Sequence, residues 1–254
     1  FSFPVDRFIA RMEEEHPGMP IVGGMASAGG IPGCNTLVAG RHLSDCGAVG
    51  VVVGGAARIR PVVSQGCRPV GRPMVITRAE ENVIVELGGR PAVERLREVY
   101  ASIDEADRHL FRNSPHLGRV ASEYQERFER GDFLVRSVLG ADPDSGILAV
   151  GDLMRTGQTV QFHVRDAATA HEDLLCLLTR DGGAEPAGAL VFTCNGRGTR
   201  LFAEPDHDAR CLRDALGDVP AAGFFAQGEI GPIGKRNFLH GFTASIALFE
   251  SAGG

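Results

Sequence analysis

From Pro20 to Leu87 the chain is a succession of short β-type runs, each closed by glycine or a polar turn: PIVGG, TLVAG, AVGVVVGG, ARIRPVVSQG, PMVITRAE and NVIVELG. Two consecutive strands lie parallel only if a crossover of about a dozen residues or more, usually a helix, carries the chain back between them. These gaps hold no such crossover, so the spacing predicts mainly antiparallel pairing. The period then changes. Between Arg90 and Phe111, Val93, Leu96, Val99 and Tyr100, then Ile103, Ala106 and Leu110, recur at helical spacing. A helix is also predicted over Pro4 to His16, with Pro4 at a first-turn position and Pro17-Gly18 as the stop.

Arg112 to Arg130 reads as a polar connector with helical character around Val120 to Phe128. FLVRSVLG, GILAVG and TVQFHVRD read as strands, and Asp142-Pro143-Asp144-Ser145-Gly146 as a turn. Ala167 to Thr179 is predicted as a helix, with Asp166 as N-cap and Leu174, Leu175 and Leu178 on its inner face. ALVFT, AGFFA and FTASIALFE are strands, and a helix from Asp208 to Leu216 separates the first two. That alternation permits parallel pairing of ALVFT with AGFFA. The expected fold class is α+β: mixed, largely antiparallel sheets with packed helices, in two unequal subdomains. Gly88-Gly89-Arg90-Pro91 is the best boundary, giving 1–88 and 89–254.

Composition excludes several functions. The net charge of −6 gives no basic face for nucleic acid, and Lys235 is the only lysine. The apolar runs fall well short of the roughly 20 residues of a membrane span. None of Cys34, Cys46, Cys67, Cys176, Cys194 and Cys211 forms CxxC or has histidine at zinc-ligand spacing, so no metal site is expected. Free thiols in a cytoplasmic protein are the default for this pattern. FSFPVDRF has neither the basic nor the apolar region of a signal peptide, and it lacks an initiator Met.

Two apolar runs end in charged residues flanked by glycine. VFTC delivers Asn195, Gly196, Arg197 and Gly198, and GFFAQ delivers Gly228, Glu229, Ile230 and Gly231. A strand that stops in this way brings backbone and charge close to a bound molecule. Arg197 can clamp a carboxylate with its two-pronged fork, and Glu229 can meet an ammonium group. Against this, Asn195-Gly196 is also the favoured pair of a type I′ hairpin turn. Glu229 is equally explained by an internal ion pair with Arg197 or Arg165. Arg165, Asn237 and His240 are further candidates for the site, although a histidine beside Gly and Phe is more often a satisfied core or turn residue. Cys67, next to Arg68, and Cys194 are the only plausible nucleophiles, and no sequence feature fixes a histidine beside either.

CNGRG, then GFFAQGEIGPIG and NFLHGFTASIALF, resemble the C-terminal half of the FIST family. GDLMRTGQTVQFHVRDAATAHEDL is similar to the middle of its C-type domain, and PIVGGMASAGG with VVSQGCRPVG to the end of its N-type domain. The resemblance covers nearly the whole chain. It implies a small-ligand sensory module of signal transduction, non-enzymatic and without a cofactor, that binds a metabolite such as an amino acid and passes its signal to a protein partner. It also implies that the chain is a piece of a longer one. Two alternatives stay open: an enzyme using a Cys/His site on the same scaffold, and a protein-interaction scaffold as in the family's F-box members.

Overall fold

A computed structural model describes residues 3–31, 33–125, 127–180 and 185–251. They fall into two compact units, one of Phe1–Gln65 with His171–Gly254, the other of Gly66–Ala170. The first unit begins with α1 (Val5–Glu15), β1 (Gly23–Gly24), β2 (Leu37–Ala39), β3 (His42–Ser44) and β4 (Ala57–Ser64). The second contains β5 (Cys67–Glu80), β6 (Val83–Leu87), β7 (Arg90–Pro91), α2 (Ala92–Ser102), α3 (Glu105–Asn113), β8 (His116–Val120), β9 (Phe133–Asp142), β10 (Ile147–Val150) and β11 (Thr159–Arg165). From α4 (Ala167–Thr179) the chain enters the first unit again with β12 (Gly188–Cys194), α5 (His207–Leu216), β13 (Ala221–Ala226), β14 (Glu229–Ile233), β15 (Arg236–His240) and β16 (Ala244–Ser251). The class is α+β with mostly antiparallel sheets. Among the described residues, no helix is long and apolar enough to cross a membrane.

In the first unit the main sheet has the order β13-β12-β16-β4. Its apolar side packs on α4 and α5 through Leu174, Leu178, Leu212, Ala189, Ile246 and Leu248. Pro61 lies in β4, an edge strand of that sheet, where a missing N–H is tolerated. A second sheet, β1-β14-β15, packs on α1 through Val5, Ile9 and Ile230. In the second unit the order is β10-β9-β8-β11-β5-β6-β7, and β6 also pairs with β10. That pairing closes six antiparallel strands into a barrel and removes their edges. Its core holds Ile76, Ile84, Leu87, Leu117, Leu148 and Phe162, all fully buried.

Three sequence expectations are corrected. The helical pattern over Arg90 to Phe111 is two helices, because Asp104 caps a new one and accepts the Asp107 N–H at 2.8 Å. The polar connector contains β8, which pairs with both β9 and β11. HLGRV is too short and too polar to announce itself, and its partners on both sides make it a strand. AVGVVVGG forms no strand: nothing pairs with it among the described residues, and Val51 and Val52 are more than four-fifths exposed. The turn at Gly88 to Pro91 lies inside one compact unit. β6 pairs with β7 across that turn, and β5 pairs with β11, so both flanks belong to one unit.

Candidate functional site

β12 and β13 lie side by side and parallel, from Ala189 opposite Ala221 to Cys194 opposite Ala226. Their carboxyl ends therefore point the same way, and ligands of open sheets with parallel strands bind outside such ends. Backbone hydrogen bonds gather further segments there. Asn195 N–H donates to Ala226 O at 2.9 Å, Cys194 N–H to Thr243 O at 2.9 Å, and Met25 N–H to Gly228 O at 2.8 Å. Thr243 N–H donates in turn to Glu229 Oε2 at 3.1 Å. The segments carrying Asn195, Arg197 and Glu229 are thus tied to one another. Phe242, beside Thr243, holds φ at 66°, a left-handed conformation that costs a non-glycine residue about 1–3 kcal/mol.

The hairpin reading of Asn195-Gly196 fails. A type I′ turn needs positive φ at both central residues, and neither of these has it. Asn195 instead donates its side-chain N–H to Gln227 Oε1 at 2.9 Å, bridging the two strand ends. Gly198 does have positive φ, 60°, and a Cβ there would meet the Phe225 ring at 3.0 Å.

Arg197 is 1% exposed. Its Nε and Nη2 donate to the two oxygens of Asp208, each at 2.8 Å, and its guanidinium lies 5.3 Å from the centre of the Phe202 ring. Asp208 also accepts from Thr193 Oγ1 at 3.2 Å and is 3.0 Å from His207 Nδ1. Burial pushes the Asp208 carboxyl up, but hydrogen bonds from His207 and Arg197 outweigh it and hold the group well below the usual carboxylate range. Two of the three nitrogens of the Arg197 guanidinium are thereby fixed. The third, Nη1, is buried and has no acceptor among the described residues. Asp208 was not foreseen. Its one signal was an acidic residue in the first turn of a predicted helix, which helix electrostatics alone accounts for.

The remaining candidates are placed as follows. Glu229 opens β14 with no exposed surface, paired across the sheet with Gly24 and His240. Asn237 accepts the Ile21 N–H at 2.7 Å and donates to Met19 O at 2.9 Å, so its side chain braces β15 against the segment after α1. His240 Nε2 sits 3.0 Å from Gly231 O, the satisfied role expected of a core histidine. Arg165 ends β11 in the second unit, opposite Cys67. Cys67 is 2% exposed among Val120, Phe133 and Val135, surroundings that keep a thiol inert. Cys194 Sγ receives N–H groups from Gly196 at 3.4 Å and Phe242 at 3.3 Å.

A cleft of about 540 Å³ lies elsewhere in the first unit, at the Ala221 end of β13, the opposite end from Ala226. It is open, and Asp206, Arg210, Arg213 and Asp218 line it. Its charged lining is at the surface, whereas Arg197 is buried.

Gly231 lets β14 approach the main sheet of the first unit. A Cβ there would meet Val63 Cγ2 at 2.6 Å and Ser245 Oγ at 3.0 Å. Gly231→Ala is expected to destabilise the chain by about 1–3 kcal/mol through overpacking, read as a lower urea midpoint. An unchanged midpoint would mean that the two sheets separate freely.

Comparison with known proteins gives the class of this domain. The FIST N domain matches residues 1–90 and the FIST C domain residues 92–232. The chain belongs to the FIST family, whose domains are sensory domains of signal transduction. It is 46% identical over 252 residues to the uncharacterized protein Rv0628c of Mycobacterium tuberculosis, covering 98% of this chain and 66% of that protein. It is 45% identical over 252 residues to the uncharacterized protein Mb0898c of Mycobacterium bovis, covering 98% of this chain and 65% of that one. The chain therefore spans just under two thirds of the length of these relatives.

Proposed function

We propose that this chain is the ligand-binding part of a sensory protein, and that it holds a small carboxylate-bearing metabolite at the carboxyl ends of β12 and β13. The observation that carries this reading is Arg197 Nη1. Leaving a buried polar group without a partner costs about 1–3 kcal/mol, and more when the group is charged. A ligand carboxylate would relieve that cost. Asp208 holds the guanidinium in place before the ligand arrives, so little side-chain freedom is lost on binding. Glu229 belongs to the same bonded cluster and offers a negative wall, so an amino acid is the best chemical match. Asn195 lies between the two strand ends, while Asn237 and His240 hold the surrounding backbone. The enzyme alternative has one observation in its favour: the two N–H groups on Cys194 Sγ, which favour a thiolate.

The test is a thermal-shift screen of the chain against amino acids and their analogues lacking either the amine or the carboxylate. A ligand at a hundred times its dissociation constant adds about 2.7 kcal/mol, which is about 5–11 °C in Tm for a chain of this size. Analogues without the carboxylate are expected to give no shift. In the double variant Arg197→Met, Asp208→Asn, the response is expected to vanish while the fold remains. A full response in that variant would place binding elsewhere.

A further inference from the structure

Behind Asp208 lies a pair of histidines. His171 is exposed on α4, and His207 opens α5. His171 Nδ1 and His207 Nε2 stand 3.0 Å apart, with the ring planes at 71°. The other nitrogen of His207, Nδ1, is 3.0 Å from Asp208 Oδ1. His207 is also stacked on Phe202 at 6° between the planes, which sets the direction of its ring. We propose that His171 and His207 form an open, two-nitrogen site for a divalent transition metal ion of the Cu²⁺ or Ni²⁺ kind. Water, or a donor group of a bound molecule, would complete the coordination.

Four observations support this. First, the Asp208 carboxylate accepts the Nδ1 proton of His207, which leaves Nε2, the nitrogen 3.0 Å from His171 Nδ1, with its lone pair. A carboxylate behind a ligating histidine, fixing its tautomer and raising its basicity, is the usual support of a metal site. Second, the gap has the right size. An ion about 2.0–2.1 Å from each nitrogen would see them at about 94°. That is the angle between neighbouring ligands in square-planar or octahedral coordination, whereas a tetrahedral ion would need a wider gap. Third, the chain already orders this end of the site: Arg197 pins Asp208, Asp208 orients His207, and Phe202 lies under the ring. Fourth, the exposed His171 gives an ion access from solvent. Among the described residues no group of three or more His, Cys, Asp or Glu side chains could enclose a metal. The site is therefore not a closed structural one, and an ion there keeps positions for exchangeable ligands.

The test is a calorimetric titration of the chain with NiCl₂ at pH 8. One equivalent is expected to bind. His171→Ala is expected to weaken that binding about tenfold or more, whereas His16→Ala, an exposed histidine at the end of α1, is expected to leave it unchanged. Since His171 is on the surface, loss of binding in its variant will not reflect unfolding, and circular dichroism checks this. In an NMR spectrum of the imidazole nitrogens, a trace of Cu²⁺ is expected to broaden His171 and His207 first. The proposal is overturned if His171→Ala binds Ni²⁺ as the natural chain does, or if the natural chain takes up none at about 1 mM. The 3.0 Å contact would then be only a hydrogen bond sharing one proton.

Discussion

Arg197→Ala is expected to lower the stability of the chain by about 3–5 kcal/mol, the loss that follows when one partner of a buried ion pair is removed. The reason is the residue left behind. Asp208, 6% exposed, would keep its negative charge in a largely dry environment, with Thr193 and His207, among the described residues, left to bond it. Replacing both partners is a different experiment. Arg197→Met with Asp208→Asn removes both charges and keeps an acceptor for Thr193, and such exchanges of whole pairs are often neutral. The double variant is therefore expected to melt close to the natural chain, far above the single one. Urea titrations of the three proteins measure this. Equal losses in single and double variants would show that the pair acts through packing on Phe202 and not through charge. The same double variant carries the binding test, because it separates folding from ligand recognition.

Acidification from pH 7 to about 4.5 is expected to destabilise the second unit through two buried histidines. His163 on β11 and His116 on β8 are opposite each other in register, both 2% exposed. Burial pushes the His163 imidazole down to about 4, against a bond to Gln161 O and with help from His116. Burial, then the charge of Arg165, pushes His116 down to about 4 from 6.5. Phe133 presses on the His163 ring at 4.9 Å between centres, and Gly118 lies so close beneath it that any Cβ would collide. The sign follows from proton counting. Between about 4 and 6.5 the unfolded chain binds more protons than the folded one, so stability rises with pH across that window. It is complete above the ordinary value of 6.5 and lost as pH falls towards 4. Each histidine contributes on the order of 3 kcal/mol to this loss. Asp107, held low by a hydrogen bond from Arg68, acts with the same sign but in a lower window. Its contribution is present above its ordinary value of 3.8 and disappears only below it. His163→Gln is expected to remove one histidine's share and flatten the profile above pH 4. Urea midpoints that stay constant from pH 7 to 4.5 in the natural chain would show that the two imidazoles are open to water.

The arrangement around Asp208 also explains what sequence reading can reach. Local signals were sufficient for the helices over Val5–Glu15, Ala167–Thr179 and His207–Leu216, because each shows its buried face at helical spacing. Asp166 as a cap follows from its place before that pattern, and Thr169 N–H donates to it at 2.7 Å. Arg197 and Glu229 stood out because glycine-flanked charges at strand ends have no packing purpose of their own. The counter-charge of Arg197 did not stand out. Asp208 is eleven residues away, on a helix whose first turn welcomes any acidic residue, so its partner is fixed only when α5 docks beside β12. Asn237 was legible as a polar residue in a strand, but not as a brace, since Met19 and Ile21 are more than two hundred residues away in sequence.

What the sequence determined by itself is the content of the elements, the mainly antiparallel character of their pairing and the family. Each depends on residues close together in the chain: apolar periodicity, glycine and proline at turns, and motifs such as CNGRG and GFFAQGEIGPIG. What only the tertiary structure decided is which elements meet. A strand as plain as HLGRV becomes central because β9 and β11 both offer it hydrogen bonds, and a run as apolar as AVGVVVGG stays unpaired because no strand does. The parallel partnership of β12 with β13 was permitted by the alternation of strand and helix, and packing of α4 and α5 on one face of that sheet made it the outcome. The physical reason is the same throughout. A strand's backbone groups and a buried charge must each find a partner, and that partner lies wherever the fold, not the sequence neighbourhood, places it.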